Sequence, residues 1–463
     1  MSNTVPDSIA PTRQVRLRWS EKLGYGFGDF GFNLYWTTMG SFLAAFYTDV
    51  FGITAAAAGT MLFVTKIVDA LTDPVMGAAA DRTRTRFGKF RPYLIFAGLP
   101  MAAAAVLTFT TPDLDDAGKL LWAYGTYTMM MILYTILSTP YSALSGVMTA
   151  SSQQRTTLIS VRFLFAFTGG MFVNYFTLPL VSYFGAGDDR LGWQSTMLLY
   201  GALATAILAV TFLTTRERIE PPRSQKSSPV EDIADLLRNR PWLILFGLAM
   251  IIMLTITMRA GSAYYYFYYY VERPELLPSY LTWQMLAYAV GAIFAPLMTR
   301  FMDKAKLLML LMSIVGVLSI LFYFVPRDMI WAMFMLNVLI SLALGPKSPL
   351  TWSMYADTAD YNEWKNGRRA TAMTFSLATF AQKLGGALGS AGLLWVLAAI
   401  GYVAKEAQSG ASQTGIALLQ TVIPGLFALV AVLIARFYNL TGAQLQTIQS
   451  ELEERNGGNA CRA

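Results

Sequence analysis

Long apolar stretches alternate with short polar segments along almost the whole chain of 463 residues. A helix that crosses a bilayer needs about 20 mostly apolar residues, and twelve stretches reach that length. The predicted spans cover residues 25–50, 54–80, 92–111, 119–146, 157–184, 193–214, 242–271, 280–299, 306–325, 329–354, 371–402 and 413–438. The pattern therefore predicts an all-α membrane protein with 12 transmembrane helices.

One long polar stretch, residues 215–241, separates the first six predicted spans from the last six. It contains Pro221, Pro222 and Pro229 with several serines, which is the composition of a linker. A six-span half that occurs twice is typical of transporters built from two helix bundles. The predicted segments are a cytoplasmic N-terminal segment (1–22), an N-terminal six-helix bundle (23–214), the cytoplasmic linker (215–241), a C-terminal six-helix bundle (242–438) and a cytoplasmic C-terminal tail (439–463).

Lysine and arginine are concentrated in alternate loops between the predicted spans. The run Asp81–Arg91, the linker and the segment 365–369 carry most of them, whereas the loops of the other set carry mainly acids, such as Asp113 and Asp115. Cytoplasmic loops are enriched in positive residues. Both termini are therefore expected to lie in the cytoplasm.

The composition excludes a soluble multidomain enzyme. Hydrophobic residues make up 55% and charged residues 14% of the chain, whereas a soluble chain has about 25% charged residues. There is no histidine and a single cysteine, Cys461, so the chain has neither imidazole chemistry nor an internal disulfide. No Walker, HExxH or GxSxG motif occurs, and no cofactor or catalytic residue is predicted. The net charge of +7 is attributed to cytoplasmic loops, and no nucleic-acid partner is expected.

Charged residues inside a predicted span are costly and indicate function, and the second span holds the clearest group. Asp69 and Asp73 are four residues apart, so both carboxylates lie on one helix face, with Lys66 one turn away. Carboxylates with nearby hydroxyls form a hard oxygen site suited to Na⁺. The same pair could instead carry a proton, because two close, buried carboxylates resist ionising together. We predict a coupling-cation site here; the alternative is a buried pair that only holds helices together.

Four further charges lie inside predicted spans: Arg162, Arg259, Lys347 and Lys383. Lys383 could neutralise the carboxylates of the second span when the cation leaves, or it could form a static salt bridge between the bundles. Arg162 could donate a pair of hydrogen bonds to sugar hydroxyls or to a carboxylate. Lys347 and Arg259 would suit an anionic substrate, unless they snorkel to the interface or pair locally.

Charged residues at the cytoplasmic ends of the helices indicate gating contacts. Arg86 and Lys89 belong to the basic loop after the second span, which we interpret as a latch for one transport state as well as a topology signal. Asp357 and Asp360 lie at the end of the tenth span and face Arg368 in the next loop. These charges are predicted to form a gating network of ion pairs.

The seventh span ends in an unbroken aromatic run, Tyr264–Tyr270. A tyrosine has an apolar ring face and a hydroxyl group, which suits stacking on a sugar and hydrogen bonding to it. Tyrosines also form belts at the membrane interface. The belt is our interpretation for most of the run, with one or two rings reaching the cavity.

Several longer motifs, in order along the chain, resemble one family. They are Glu21-Lys-Leu-Gly-Tyr-Gly-Phe-Gly-Asp29, Phe46-Tyr-Thr-Asp49, Asp69-Ala-Leu-Thr-Asp-Pro-Val-Met-Gly77, Arg86-Phe-Gly-Lys-Phe-Arg-Pro92, Ala356-Asp-Thr-Ala-Asp-Tyr361, Gly367-Arg-Arg369 and Lys383-Leu-Gly-Gly386. From about residue 20 to residue 440 the chain resembles the glycoside–pentoside–hexuronide cation symporters, which include melibiose, glucuronide and xyloside carriers. This is a sugar-transporting branch of the major facilitator superfamily. The resemblance implies that superfamily's fold, with two six-helix bundles, and a carrier rather than an enzyme.

The resemblance also implies the residues of two sites. The implied cation site consists of Asp69, Asp73, Thr135 and Thr72, the last of which replaces a family asparagine. The implied central sugar site consists of Tyr134, Arg162, Thr379 and Lys383.

The chain departs from the melibiose-carrier pattern at four positions. Two sugar-binding aspartates of that pattern fall on Asn33 and Ser138, and its stacking tryptophans fall on Ser142 and Ser348. A galactoside site of the melibiose type is therefore not preserved. Asn33, together with the intramembrane lysine and arginine of the second half, is more similar to the glucuronide and pentoside carriers.

We therefore expect a secondary active symporter in the cell inner membrane that couples inward movement of Na⁺ or H⁺ to uptake of a sugar or glycoside. Its expected partners are that substrate, the coupling cation and the lipid bilayer, and a monomer is expected. Two alternatives stay open: a sodium-coupled lipid or lysolipid carrier and a transporter-like sensor. The polar residues Asn33, Ser138 and Ser142 argue against the first, and the absence of a signalling domain from the sequence argues against the second.

Overall fold

The computed structural model describes residues 17–149, 152–218, 235–366 and 371–460. Within these ranges the chain is helical except for short connections, one of which contains an isolated bridge between Thr85 and Gly88. The helices of the first half are α1 (Trp19–Ala45), α2 (Ala55–Arg82), α3 (Arg91–Phe96), α4 (Gly98–Thr108), α5 (Asp116–Met148), α6 (Ser152–Gly185) and α7 (Asp189–Thr214). The main helices of the second half are α8 (Arg240–Tyr265), α9 (Leu277–Met298), α10 (Lys304–Phe322), α11 (Ile330–Leu344), α12 (Lys347–Asn366), α13 (Thr371–Ala399), α14 (Gly410–Gln420), α15 (Val422–Ala435) and α16 (Gly442–Ala460).

The twelve predicted spans all coincide with helical structure, and three of them consist of two pieces. The third span breaks at Ala97 between α3 and α4, the tenth at Gly345 and Pro346 between α11 and α12, and the twelfth at Thr421 between α14 and α15. Pro346 has no backbone N–H and cannot continue the helical hydrogen bonds, which accounts for the second break. Among the described residues, ten helical segments are long and apolar enough to cross a membrane; α1 and α13 are not among these ten.

The first helix of each half ends in a wider, π-helical turn. Phe46–Phe51 continues α1 in this way, and Tyr266–Tyr270 continues α8. Such turns are rare and occur often at functional sites. Gly52 follows the first turn with a φ of 86°, a left-handed conformation that glycine adopts without strain.

Within each half, neighbouring helices pack side by side. In the first half α1 lies against α6 and α7, and α2 lies against α5; in the second half α8 lies against α13 and α15, and α10 against α15. Gly385 permits the close approach of α13 to α8, because a Cβ atom at this position would lie 2.1 Å from the carbonyl oxygen of Met250. The main helix pairs that join the halves are α2 with α13, α6 with α9, and α1 with α8, and α1 also contacts α13.

The molecule has two ends, because successive helices run in opposite directions. We call the end that contains the connections 52–54, 186–188, 271–276 and 400–409 the distal end, and the end with the linker the linker end. Asp69 lies midway along α2 and Lys383 midway along α13. The contact between α2 and α13, which joins the halves, is therefore at mid-depth for these two residues.

The C-terminal tail, predicted at 439–463, contains the helix α16, which packs against α12. The Trp364 indole N–H donates a hydrogen bond of 2.6 Å to the carboxylate of Glu451, and Ile448 is buried. Cys461 and Arg368 both lie outside the residues that the structure describes.

Candidate functional site

A cluster of charges joins the two halves at mid-depth. The Lys383 ammonium lies 2.9 Å from the Asp69 carboxylate and 2.5 Å from the Asp73 carboxylate. Thr135, on α5, donates to Asp69 at 2.6 Å and is within 3.3 Å of Asp73. Three helices therefore bring together the carboxylate pair that helical spacing predicted, the lysine that was expected near it and the threonine that the family resemblance implied. We call these four residues the central cluster.

Two further side chains lie beside the central cluster. The Lys66 ammonium, one turn from Asp69 on α2, is within 3.5 Å of the Gly386 carbonyl oxygen on α13. Thr72 donates to the Asp69 carbonyl oxygen at 2.8 Å, so its hydroxyl bonds its own helix rather than a carboxylate. The Asp69 side chain is 3% exposed and that of Asp73 is 29% exposed. Asp73 is therefore the carboxylate of the pair that faces open space.

The central cluster and Lys66 together are electrically balanced, because two ammonium groups accompany two carboxylates. The Lys383 nitrogen lies between an oxygen of Asp69 and an oxygen of Asp73. Among the described residues there is no group of three or more His, Cys, Asp or Glu side chains that could hold a metal ion. A cation bound by Asp69 and Asp73 would thus complete its ligands with hydroxyl, carbonyl or water oxygens, as Na⁺ accepts.

A second charged pair lies in the first half, between α1 and α6. The Arg162 guanidinium donates to the Asp29 carboxylate and lies 5.0 Å from the centre of the Tyr141 ring. The rings of Tyr25 and Tyr141 are stacked with centres 4.7 Å apart, and each hydroxyl donates to the other residue's carbonyl oxygen. The result is a rigid support for the guanidinium.

Asp29 was not singled out as a site residue, although it lies inside the first predicted span. The rule that intramembrane charges are functional candidates applies to it as it does to Arg162. Asn33, one turn further along α1, donates to the Asp29 carbonyl oxygen at 2.9 Å and accepts a hydrogen bond of 3.2 Å from Thr37. Arg162 thus pairs with Asp29, which lies one helical turn before Asn33 on α1.

Aromatic rings lie between the two charged groups. Tyr134 precedes Thr135 of the central cluster on α5, and its ring is stacked on Trp36 with centres 5.5 Å apart. The Phe32 ring meets Tyr134 edge-on at 5.8 Å. Trp36 is partly exposed and was not predicted; a tryptophan within a polar helix face was the available signal.

The other predicted sugar-site hydroxyls have few described contacts. Ser138 and Ser348 are half-buried, and Ser142 and Thr379 are exposed. The Thr379 hydroxyl donates to the Phe375 carbonyl oxygen at 3.0 Å. No described contact joins these side chains to the central cluster.

Two predicted substrate residues of the second half lie apart from the central cluster. Arg259 is fully buried, and its guanidinium donates to Ser319 at 3.2 Å and to Asn337 at 3.0 Å. Lys347 is half-buried, and its ammonium lies 3.7 Å from the sulfur of Met253. Arg259 therefore ties α8 to α10 and α11 inside the second half.

The predicted gating residues have different surroundings at the linker end. Lys89 belongs to a loop held by Glu217, whose carboxylate accepts the backbone N–H groups of Lys89, Phe90 and Arg91 at 2.8–2.9 Å. The exposed Arg86 lies over the Phe87 ring at 4.6 Å. This loop is thus fixed to the end of α7.

Asp357 pairs with a residue that the sequence pattern did not connect to it. Lys304, at the start of α10, approaches its two carboxylate oxygens at 2.7 and 3.0 Å. Asp360 lies one turn further along α12 and is half-buried. The predicted partner Arg368 lies outside the described residues.

Two halves of membrane-spanning helices that meet at a buried charged cluster are the arrangement of a secondary membrane transporter. The chain belongs to the family described as MFS/sugar transport protein, whose model matches residues 24–442. It is 37% identical over 436 residues to the inner membrane symporter YicJ of Escherichia coli (strain K12), a match that covers 94% of this chain and 95% of that protein. It is 34% identical over 439 residues to the putative glycoside/cation symporter YagG of the same organism, with 95% of each chain covered.

The fold agrees with this family. The inward-open structure of the xylose transporter XylE from E. coli superposes with a TM-score of 0.65 at 16% identity, covering 93% of this chain and 99% of that chain. The predicted resemblance to cation symporters of glycosides and the predicted helical major facilitator fold are confirmed. The chain is a multi-pass membrane protein of a transporter family, not an enzyme; the relative YicJ is named for the inner membrane, the location predicted here.

Proposed function

We propose that the chain is a secondary active symporter that couples inward movement of Na⁺ or H⁺ to uptake of a sugar or glycoside by alternating access. The observation that carries this proposal is the ionic contact of Lys383, from the second half, with Asp69 and Asp73 of the first half. A coupling cation that binds the two carboxylates takes the position of the ammonium. Cation binding therefore changes how the two halves are held together.

The route of the cation follows from the exposure of the two carboxylates. Asp73 is the more exposed, so the cation meets Asp73 first and then shares Asp69. The Thr135 hydroxyl, which already bonds both carboxylates, supplies a further oxygen. The displaced Lys383 is then free to turn towards the substrate.

The sugar binds beside the cation, between the central cluster and the Asp29–Arg162 pair. A guanidinium and a carboxylate recognise sugar hydroxyls through charge-assisted hydrogen bonds. The stacked rings of Trp36 and Tyr134 offer an apolar face to the sugar ring. Tyr134 and Thr135 are neighbours on α5, so one helix carries residues of both proposed sites and links sugar binding to cation binding.

In the membrane, we place the two six-helix bundles at residues 23–214 and 242–438, with the linker end and both termini in the cytoplasm. The excess of lysine and arginine in the linker-end loops supports this orientation. The distal end then faces the outside of the inner membrane. A monomer suffices for the mechanism, because both proposed sites lie within one chain.

The proposal is tested with purified protein in sealed liposomes and a panel of glycosides, pentosides and hexuronides. We expect accumulation of one of these sugars under an imposed Na⁺ gradient or an imposed H⁺ gradient. Asp73→Asn should abolish gradient-driven accumulation, because the pair then lacks one of its two charges, whereas the matched Asp113→Asn in an exposed connection should not. Undiminished accumulation by Asp73→Asn, or uptake of a lysolipid and of no sugar, contradicts the proposal.

A further inference from the structure

A buried carboxylate at the distal end has no part in the function proposed above. Asp49 lies in the π-helical turn that ends α1, and it is 7% exposed. Its carboxylate accepts hydrogen bonds from Thr48 at 2.6 Å, from the Tyr402 hydroxyl at 2.5 Å and from the Tyr269 hydroxyl. Tyr269 and Tyr402 belong to the second half. One carboxylate of the first half therefore binds two residues of the second.

The surrounding contacts fix these hydroxyls in place. The Tyr265 and Thr48 hydroxyls are 2.9 Å apart and form a further contact between the halves. The Tyr402 ring packs edge-on against Tyr265 and Tyr269, with ring centres 5.2 and 5.3 Å away. The Lys405 backbone N–H donates to the Tyr269 hydroxyl at 3.1 Å. Packed rings leave the hydroxyls little freedom to turn away.

This group lies between two cavities that open at the distal end. Their volumes are about 500 and 460 Å³, and Asp49, Asp189 and Lys405 line both. The Lys405 ammonium bonds the Asp189 carboxylate at 3.1 Å, which adds a contact between the halves at the rim. Asp49 is thus shared by both cavities, and Tyr269 of the second half lines the larger of the two.

We propose that Asp49, Tyr269 and Tyr402 form a latch that holds the distal end closed and opens when the protein takes up substrate from that side. The role rests on the alternating access and orientation proposed above. A hydrogen bond to a buried carboxylate is stronger than one between neutral groups, so the latch holds the halves together. The partners from the second half are neutral hydroxyls, so water can replace them when the end opens and no buried ion pair has to be separated.

The latch is tested by the distance between the two halves at the distal end. Asp113 and Asp328 are exposed and lie in the connections 109–115 and 323–329, which are also at the distal end. Asp113→Cys and Asp328→Cys, combined with Cys461→Ser, therefore provide sites for spin labels on opposite halves. Double electron–electron resonance then gives the ratio of open to closed molecules in lipid nanodiscs, without substrate or gradient. Loss of one hydrogen bond to a charged group in Tyr402→Phe should raise this ratio about tenfold or more, and Asp49→Asn should raise it further.

The matched control is Tyr268→Phe, in the same tyrosine run. The Tyr268 ring is stacked on Tyr264 at 4.1 Å and its hydroxyl has no described bond to Asp49, so the open-to-closed ratio should not change. A ratio that is unchanged in both Tyr402→Phe and Tyr269→Phe overturns the latch, and so does an equal rise in the control. These two variants decide the question if Asp49→Asn does not fold.

The failure of the latch is distinguishable from the failure of the proposed transport function. The distance measurement can be made without knowing the substrate. The liposome experiment measures uptake and does not depend on observing the distal end. If the parent chain takes up sugar normally and the spin-label distances are unchanged in Tyr402→Phe and Tyr269→Phe, the latch proposal is wrong and the transport proposal stands. If the spin-label distances are longer in Tyr402→Phe but the parent chain takes up no sugar, the proposed sugar transport is wrong and the latch is supported.

Discussion

Two of the contacts that join the halves of the protein differ in their chemistry. At mid-depth, the Lys383 ammonium lies between the Asp69 and Asp73 carboxylates. At the distal end, Asp49 accepts hydrogen bonds from neutral hydroxyls of the second half. The mid-depth joint contains charges of both signs, and a second cation can take the place of the ammonium. The distal joint has one charge and hydroxyl donors, for which water is the natural replacement.

This difference assigns separate tasks to the two joints. We expect the coupling cation to act on the mid-depth joint, because the Lys383 ammonium already occupies a position between two carboxylates there. We expect the distal joint to respond to hydration, because opening that end admits water to the Asp49 carboxylate. Three substitutions test this difference between the joints. They are given in order of decreasing expected effect, beginning with the charged mid-depth joint and ending with the exposed distal rim.

The largest effect is expected for Lys383→Ala. The substitution leaves the buried Asp69 and the partly exposed Asp73 without their ammonium partner, and breaking a fully buried ion pair in this way costs about 3–5 kcal/mol, which is the upper limit here. Thermal unfolding in detergent should show a lower Tm than in the parent chain. The coupling cation should raise the Tm more in the variant than in the parent, because it binds without competition from the ammonium.

The control for this substitution is Lys306→Ala, since Lys306 is 69% exposed and lies 4.0 Å from Asp303. Its Tm should stay close to that of the parent chain. An unchanged Tm for Lys383→Ala, or no added stabilisation by either Na⁺ or low pH, would mean that the mid-depth contact is not the cation-sensitive joint.

A smaller effect is expected for Thr135→Val, which keeps the shape of the side chain and removes the hydroxyl. This hydroxyl bonds both carboxylates of the central cluster, and a hydrogen bond to a charged group contributes about 1.5–3 kcal/mol. The cation concentration for half-maximal uptake should rise by about tenfold. Thr126→Val, on the same helix, removes a bond to the Trp122 carbonyl oxygen and should leave this concentration unchanged. If the cation concentration for half-maximal uptake is the same in Thr135→Val and Thr126→Val, Thr135 is not part of the cation site.

The smallest effect is expected for Lys405→Gln at the distal rim. The side chains of Lys405 and Asp189 are 58% and 56% exposed, and exposed ion pairs contribute about 1 kcal/mol or less. The open-to-closed ratio from spin-label distances should rise less than about fivefold, and high salt should remove the difference between variant and parent. A larger rise than in Tyr402→Phe would place the main distal joint at the rim rather than at Asp49.

The sequence was sufficient for the parts of the protein that depend on local periodicity. The apolar stretches predicted the helices, since each is long enough to span a bilayer by itself. Asp69 and Asp73 could be placed together because a spacing of four residues puts them on one helix face. Lys383 could be connected to them because a charge at mid-span needs a partner. Thr135 required the family resemblance, because nothing in its own neighbourhood distinguishes it from other hydroxyls.

The contacts between distant segments could not be predicted from the sequence. Arg162 and Asp29 are 133 residues apart, and Asp49 is 220 and 353 residues from its two tyrosine partners. Which of several buried charges meet depends on how helices pack in three dimensions. Arg259 illustrates the same limit: its charge suggested a substrate, and only the packing of α8 against α10 and α11 brings its guanidinium to two neutral side chains.

The two π-helical turns determine the direction in which the residues at the distal end point. Phe46–Phe51 and Tyr266–Tyr270 occupy equivalent places at the ends of the first helices of the two halves. A π-turn is an α-helix with one residue inserted, and each residue turns the helix by about 100°. Removing one residue from either turn would rotate the side chains beyond it by that angle relative to the rest of the helix. Asp49 and Tyr269 lie in these two turns, so their hydrogen bond across the halves depends on the extra residue in each turn.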